Sequence, residues 1–528
     1  MTGVERRAAA APMLVRIGVY ALLAVAITFP LAMNPGTMVA GAMRSDAFNA
    51  LWNLWFVHDG LARGTLPIFT TLLDFPHGGQ IVVADPLNTL LAFPLVSMFG
   101  IATAYAILVL GHLTFAGAAA DALGRRLGGS GWVAGIGYQC APIVLSHIHN
   151  GSSESISAGW LPLAVLAAFD LAKHGGARRT VQTGVALFLC AVGGWYAGIG
   201  AFLAVGALIV TERAWRVLPG IVLALMLVLP VASAIKSVSV AEDGLVDIKN
   251  PDDLSRIRRT IGAADPRVFV LPGEFRSPNF RTLEGNPNDY VHTAYLGFVL
   301  LVLAVWKGRH PALWLAFVAG ILLAMGPVIV FNGFPLAIHG KALPLPYALL
   351  ESLPGFSSLS LLYRIATVAA LSIAVLADRA APRWAIAVLA ETFLISSARD
   401  LPTISPIPDH RAITELGAMP DGAVINLPVS SGRTFLFEQT YHHKPIAGSL
   451  NAGINKAGLK VLFAARELRL DKIDKPTFVG ICHEVGIRYV LLHKNALMSE
   501  AFITSATGIQ RNFSSITEDD KVTVYALW

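Results

Sequence analysis

The sequence predicts a polytopic α-helical membrane protein of about 11 transmembrane helices followed by a C-terminal soluble α/β domain. Of its 528 residues, 55% are hydrophobic and only 14% charged, against about 25% charged in soluble domains. Apolar windows recur at close to the roughly 20 residues needed to cross about 30 Å of hydrocarbon. From about Leu401 those windows give way to short alternating segments. The net charge of +6 and pI near 9.2 fit this picture. Basic residues sit in short loops between apolar runs, as orientation during insertion requires, and no basic-aromatic stripe of a nucleic-acid binder is present. Cys140, Cys190 and Cys482 are too few and too scattered for a disulfide framework or a cysteine zinc site.

The run from about Met13 to Met33 follows Arg6 and Arg7. It is long for a signal-peptide core and lacks a clear small-residue cleavage site, so it reads as a retained first crossing. Further crossings are read at about 87–124, 131–147, 156–173, 180–194, 196–211, 217–235, 293–306, 311–331, 360–378 and 384–398. Segment 87–124 is long for one helix and has a natural break at Phe99-Gly100; it is counted here as one. Arg125/Arg126, Lys173/Arg178/Arg179, Arg213/Arg216, Lys307/Arg309 and Arg379/Arg383 then all fall on the side of a cytoplasmic N-terminus. Residues 1–399 form the transmembrane domain, with large outer loops 34–86 and 236–292, and residues 400–528 lie outside the membrane. In that tail GAVINLP, IRYVLLH and VTVYALW read as strands, and HRAITELGAM, LKVLFAARELRL and TFVGICHEVG as helices. It has no glycine-rich phosphate loop.

The first outer loop contains SDAFNALWNLWFVHDGL, a helix beginning at Asp46. Phe48, Leu51, Trp52, Trp55 and Phe56 recur at helical spacing as one apolar stripe, with Asn49, Asn53 and Asp59 off it. Such a tryptophan-bearing helix beside a crossing is expected to lie in the membrane interface. Asp46 itself reads either as a helix N-cap or as a carboxylate with chemistry to do. His77 and Asp85 frame the second half of the loop, and His147, His149 and Glu154 cluster in the outer turn HIHNGSSE. A His-x-His followed by Glu suits either a divalent metal or a polar cleft wall. His112 and Glu391 fall inside predicted crossings, where ionisable groups face the bundle interior.

A first crossing, an outer loop opening on an aspartate and an aromatic-rich helix, then a proline-rich approach to the next crossing, resembles the GT-C glycosyltransferases. This superfamily includes protein O-mannosyltransferases, oligosaccharyltransferases and lipid A aminoarabinose transferases. FPHGG with ADPLNTLLAFPL, HIHNGSSESISAGWLPL, HTAYLGFVLLVLA and LLYRIATVAALSIAVLA are similar to bacterial members, as are GAVINLP, HHKPIAG and VGIRYVLLH in the tail. The resemblance implies an enzyme of hexosyltransferase type in a bacterial inner membrane. It would move a sugar from a polyprenyl-(pyro)phosphate donor to a lipid, glycan or protein acceptor on the outer face.

Carried over by position, Asp46 is then the general base or a metal ligand. A divalent cation, Mg or Mn, stays open as a cofactor, although Ala47 stands where members often have a second acid. A lipid-linked phosphate calls for an arginine. Arg364 is the candidate, because Tyr363-Arg364 opens a crossing from the outer side, with Arg276 and Arg281 as alternatives. His77, Asp85, His149 and Glu154 complete the expected substrate-binding set. A transporter or lipid flippase is the alternative, disfavoured by the lack of internal repeats; a non-catalytic scaffold of envelope polysaccharide assembly is the third reading.

Overall fold

The computed structural model describes residues 12–43, 45–83, 85–152, 156–240, 259–272, 290–331, 333–353, 355–397, 401–408, 410–428, 434–450, 455–494 and 500–528. Among them, helices Ile101–Arg126, Trp195–Glu212 and Trp215–Val238 are long and apolar enough to cross a membrane. The other apolar helices, Met13–Ile27, Pro86–Phe99, Phe298–Lys307, Pro311–Ala324, Leu362–Ala377 and Trp384–Ile395, are shorter.

Several sequence windows break where one crossing is expected. Segment 87–124 is two helices, Pro86–Phe99 and Ile101–Arg126, separated by Gly100 at φ 79°. Window 131–147 divides into Trp132–Gln139 and Pro142–His149, because Pro142 has no amide to continue the first helix. Window 311–331 stops being helical at Ala324, and Val330–Phe331 is already a strand. Window 360–378 opens as a tight 3-10 turn, Leu362–Ala366, before the helix Thr367–Ala377.

The chain divides into two compact units, residues 1–43, 84–232 and 250–405 in the first, and 44–83, 233–249 and 406–528 in the second. The first outer loop, read from sequence as part of the transmembrane domain, thus groups mostly with the tail.

Inside the first unit, acidic side chains hold the helix ends. Asp378 accepts from the backbone amides of Gly131 (2.7 Å), Val133 (3.0 Å) and Ala134 (3.2 Å), satisfying the start of Trp132–Gln139. Asp121 accepts from the Arg16 guanidinium, the Tyr20 hydroxyl (3.0 Å) and Arg125 Nε (2.7 Å), and Arg16 also lies over the Trp132 ring. Gly131, at φ 87°, allows this approach, since a Cβ there would collide with the Asp121 carboxylate. Glu391, an acid without a visible partner in the sequence, accepts from the Tyr295 hydroxyl (2.7 Å) and from the amides of Phe298 (2.6 Å) and Val299 (2.9 Å), closing the start of Phe298–Lys307.

The second unit has a four-stranded sheet ordered Ser515–Glu518, Val522–Ala526, Ile487–His493, Ala423–Leu427. The last pair is parallel, with Val490 opposite Ile425, and the others antiparallel. Helices Arg411–Gly417, Lys456–Arg469 and Lys475–Val485 occupy the segments read as helical. Ile425, Leu427, Val461, Ala465, Leu468, Phe478, Cys482 and Val490 share one core. The Asp46–Ala62 helix packs in this unit against Thr434–His442. Its stripe is buried in protein: Phe48 meets Phe437 edge-on at 5.5 Å, Trp55 meets His443, and Trp52 Nε1 donates to Gln439 Oε1 at 2.8 Å. The expected seat in the membrane interface is therefore overturned. Burying a large apolar side chain is worth roughly 1.5–3 kcal/mol, and a matched protein face supplies that here.

Titratable groups buried in this unit give its stability a pH dependence. Burial, with the Asp519 charge adding, pushes Glu438 up to about 8, above its ordinary 4.5. Burial pulls His493 down to about 4 and His442 to about 3, from an ordinary 6.5. His493 Nε2 stands 3.5 Å from Glu438 Oε2 and 3.2 Å from Asn426 Oδ1. The Glu438 contribution is complete below about pH 4.5 and lost as pH rises to about 8; the histidine contributions are complete above about pH 6.5 and lost as pH falls. Protection of amides in Ala423–Leu427 and Ile487–His493 against hydrogen exchange, corrected for intrinsic rates, is therefore expected to peak near about pH 6.5. Glu438→Gln is expected to flatten the alkaline side of that profile and to steepen its acid side between about pH 4.5 and 6.5.

Candidate functional site

The chemistry-bearing residues fall into separate settings. Ser45, and not Asp46, is the N-cap of Asp46–Ala62: its hydroxyl accepts from the Ala47 amide at 3.3 Å. Asp46 is the first helical residue and is half-buried. A carboxylate in a first turn interacts favourably with the helix dipole.

In the first unit, the turn Leu362–Ala366 carries Tyr363 and Arg364 into a polar cluster. Arg364 is 2% exposed; its guanidinium donates to Ser152 Oγ at 2.6 Å and lies 5.7 Å from the Tyr196 ring centroid. The expected arginine at a membrane surface is thus replaced by one enclosed in protein. Tyr196 in turn accepts from the amides of Ser360 (3.2 Å) and Leu361 (3.0 Å), fixing the approach to Arg364. The Tyr363 ring stands 5.0 Å from His292 and 6.3 Å from His147. His147 is buried, and neither ring nitrogen has a hydrogen-bond partner among the described residues. Beside them opens a small cleft lined by Gly262, Asp265, His292, Thr293, Leu361 and Tyr363, among others.

The HIHN turn is built around Asn150, whose side chain pairs with the Val291 backbone in both directions: Nδ2 donates to the carbonyl at 2.8 Å, and the amide donates to Oδ1 at 2.7 Å. Asn150 is fully buried, which removes the glycosylation acceptor that Asn150-Gly-Ser spells. His149 points elsewhere: its Nδ1 accepts from the Thr403 amide at 3.3 Å, and its carbonyl accepts from Ala42.

Among the other expected site residues, Asp85 and His77 have settings of their own. Asp85 is the N-cap of Pro86–Phe99, accepting from the Asn88 amide at 3.0 Å and from Asn88 Nδ2 at 2.6 Å. Asn88 extends that network to Ser157 and His112. Asp85 thus has a structural task, and His112 is a buried histidine bonded to Asn88. His77 is an exposed turn residue in the second unit, its amide bonded to the Asp74 carbonyl. Glu154, Arg276, Arg281 and Glu284 lie outside the described residues. Sequence reasoning missed Ser152, Tyr196 and the role of Asn150, single polar residues with no spacing signal. His147 is legible in the sequence as part of HIHNGSSE, but the contact through Tyr363 that joins it to His292 is not. Among the described residues no three His, Cys, Asp or Glu side chains are placed to hold a metal ion.

No family model matches the sequence, and no curated protein does. Solved structures do match the fold. The arabinofuranosyltransferase AftD from Mycobacteria aligns over 97% of this chain at 14% identity and a TM-score of 0.51. The oligosaccharyltransferase AglB from Archaeoglobus fulgidus, solved with an inhibitory peptide and a dolichol-phosphate, aligns over 91% at 12% identity and a TM-score of 0.50. The chain has the GT-C fold. It spans 40% of AftD and 69% of AglB. Within this GT-C fold the Asn150–Val291 pairing ties the HIHN turn to the segment carrying His292. Asn150→Ala leaves the Val291 amide and carbonyl buried without their partner, at about 1–3 kcal/mol per group. The thermal midpoint of the purified chain is expected to fall; an unchanged midpoint would show that the pairing does not hold the turn.

Proposed function

We propose that this chain is a membrane glycosyltransferase that takes a sugar from a polyprenyl-(pyro)phosphate and attaches it to an acceptor hydroxyl on the outer face of the membrane. The observation that carries this reading is the enclosed cation of Arg364, set with His147 and His292 around Tyr363 beside an open cleft. Burying a guanidinium is expensive unless anionic or polar groups meet it. A phosphate offers the paired oxygens that its planar fork matches. A buried imidazole with both nitrogens unbonded is a further donor for such an anion. The GT-C fold, shared with AglB solved with dolichol-phosphate, is consistent with a lipid-linked donor.

In this mechanism the acceptor oxygen attacks the anomeric carbon of the sugar, and Asp46 takes the hydroxyl proton as the new C–O bond forms. The bond from the anomeric carbon to the phosphate oxygen breaks, and the phosphate leaves with the electron pair. Arg364 stabilises the charge growing on that phosphate, and His147 donates a hydrogen bond to it. The active side is extracytoplasmic in a bacterial inner membrane, with the N-terminus cytoplasmic.

Transfer from a radiolabelled polyprenyl-phosphate sugar in proteoliposomes tests the two roles separately. Asp46→Asn is expected to lower kcat by about 10²–10⁴-fold with donor binding intact. Arg364→Ala is expected to weaken donor binding and lower kcat by about 10²–10³-fold, with partial recovery in Arg364→Lys. Full turnover by Asp46→Asn would remove that residue from catalysis. Donor binding by wild type with no turnover on any hydroxyl acceptor tried would favour the scaffold reading, and transbilayer movement of intact donor the flippase.

A further inference from the structure

The segment after helix Pro311–Ala324 folds into a small ribbon that protrudes from the first unit. Val330–Phe331 pairs with Phe334–Pro335, Ala337–Ile338 pairs with Lys341–Ala342, and Val328 bridges to Pro344. The bonds Leu336 N to Ile329 O (2.8 Å) and Leu343 N to Leu336 O (3.3 Å) join these pieces into one antiparallel meander. Its turns are made at Gly333 (φ 82°) and at His339-Gly340 (φ 49° and 75°).

Side chains alternate between the faces of such a ribbon, and cross-strand partners share a face. Phe331 lies opposite Phe334, and Ile338 opposite Lys341. One face therefore carries Phe331, Phe334, Leu336 and Ile338, with Lys341 at the tip. These four apolar side chains are 47%, 58%, 44% and 53% exposed. The opposite face carries Pro335, Ala337 and Ala342, with buried Val330 at its root. Two- and three-stranded ribbons need a covered apolar face to be stable, and large exposed apolar patches mark contact surfaces.

The surroundings identify what covers this one. The ribbon starts four residues beyond Ala324, the end of an apolar helix that itself exposes Leu315 and Val318. Between Lys307 and Glu351 the sequence has no aspartate or glutamate, while Arg309, His310, His339 and Lys341 are present. The root is held from the protein side by Arg267, whose guanidinium lies 4.0 Å from the Phe331 ring centroid and pairs with Asp265.

We propose that residues 328–345 form a membrane-seated arm, its Phe331/Phe334/Leu336/Ile338 face lying in the acyl–headgroup boundary and Lys341 reaching lipid phosphates. Aromatic and aliphatic side chains with a basic tip suit that depth. The unpaired backbone of an open ribbon suits the wet interface and not the hydrocarbon core. The arm is a contact with bulk lipid and does not depend on the transfer chemistry proposed above.

Nitroxide labels introduced singly as Phe334→Cys, Leu336→Cys and Ile338→Cys test it in the full chain with Cys140, Cys190 and Cys482 replaced. The chain is reconstituted in vesicles of phosphatidylcholine and phosphatidylglycerol. All three labels are expected to be more accessible to oxygen than to a water-soluble nickel chelate, by several-fold relative to a label at Lys521. Labels equally open to the chelate at all three positions would overturn the arm, as would labels shielded from both reagents, which would instead indicate a protein partner or a second copy. Lys341→Glu is expected to move the Ile338→Cys label toward the chelate in phosphatidylglycerol vesicles and less so in phosphatidylcholine alone.

Discussion

The architecture of the first unit depends on satisfying backbone amides wherever an apolar helix stops. In surroundings poor in water an unbonded amide costs several kcal/mol, so a broken helix survives only if a side chain takes its exposed N–H groups. Acidic side chains do this repeatedly. Asp85 holds the start of Pro86–Phe99, Asp378 that of Trp132–Gln139, and Glu391 that of Phe298–Lys307. Asp121 is the other case, neutralised by Arg16 and Arg125 and bonded by Tyr20. Once these ends are fixed, helices too short to span can still pack side by side. The chain can then change direction inside the bundle and bring the Leu362–Ala366 turn against the HIHN turn.

The same constraint explains what the sequence could and could not say. Strands such as Ala423–Leu427 and Ile487–His493 are legible because β-branched and apolar residues run between turn formers, a local signal. The Asp46 helix is legible for the same reason, since its stripe repeats at helical spacing. What buries that stripe is not local: Phe437, Gln439 and His443 lie almost 400 residues away. A tryptophan-rich amphipathic face looks alike whether it meets lipid or protein. Glu391 and Asp85 carry the converse lesson. Each is an isolated acid in sequence, and its partners are backbone amides, which have no residue identity to read.

Residue type likewise located Arg364 but not its setting. An arginine at the head of an apolar run suits a headgroup contact equally well, and only the approach of Ser152 and Tyr196 distinguishes enclosure from snorkelling. Enclosure changes the energetics. A guanidinium in water exchanges one set of bonds for another when it meets phosphate, with little net gain. In a drier site each such bond is electrostatically stronger. Tyr196, held by the amides of Ser360 and Leu361, restricts where the guanidinium can go, so less ordering remains to be done on binding.

A fold shared at 14% identity follows from these points. Most positions in a helical membrane bundle ask only for apolar bulk, which many side chains supply, so sequence drifts while the path of the chain persists. The positions that cannot drift freely are those where a polar group answers another polar group. In this chain they include Asn150 with Val291, Asp378 with Gly131, and Arg364 with Ser152. The first two serve the backbone and need only geometry. Arg364 differs in that its partner is a side-chain hydroxyl and its guanidinium is enclosed beside Tyr196, so a replacement there has to match both the bond and the enclosed volume.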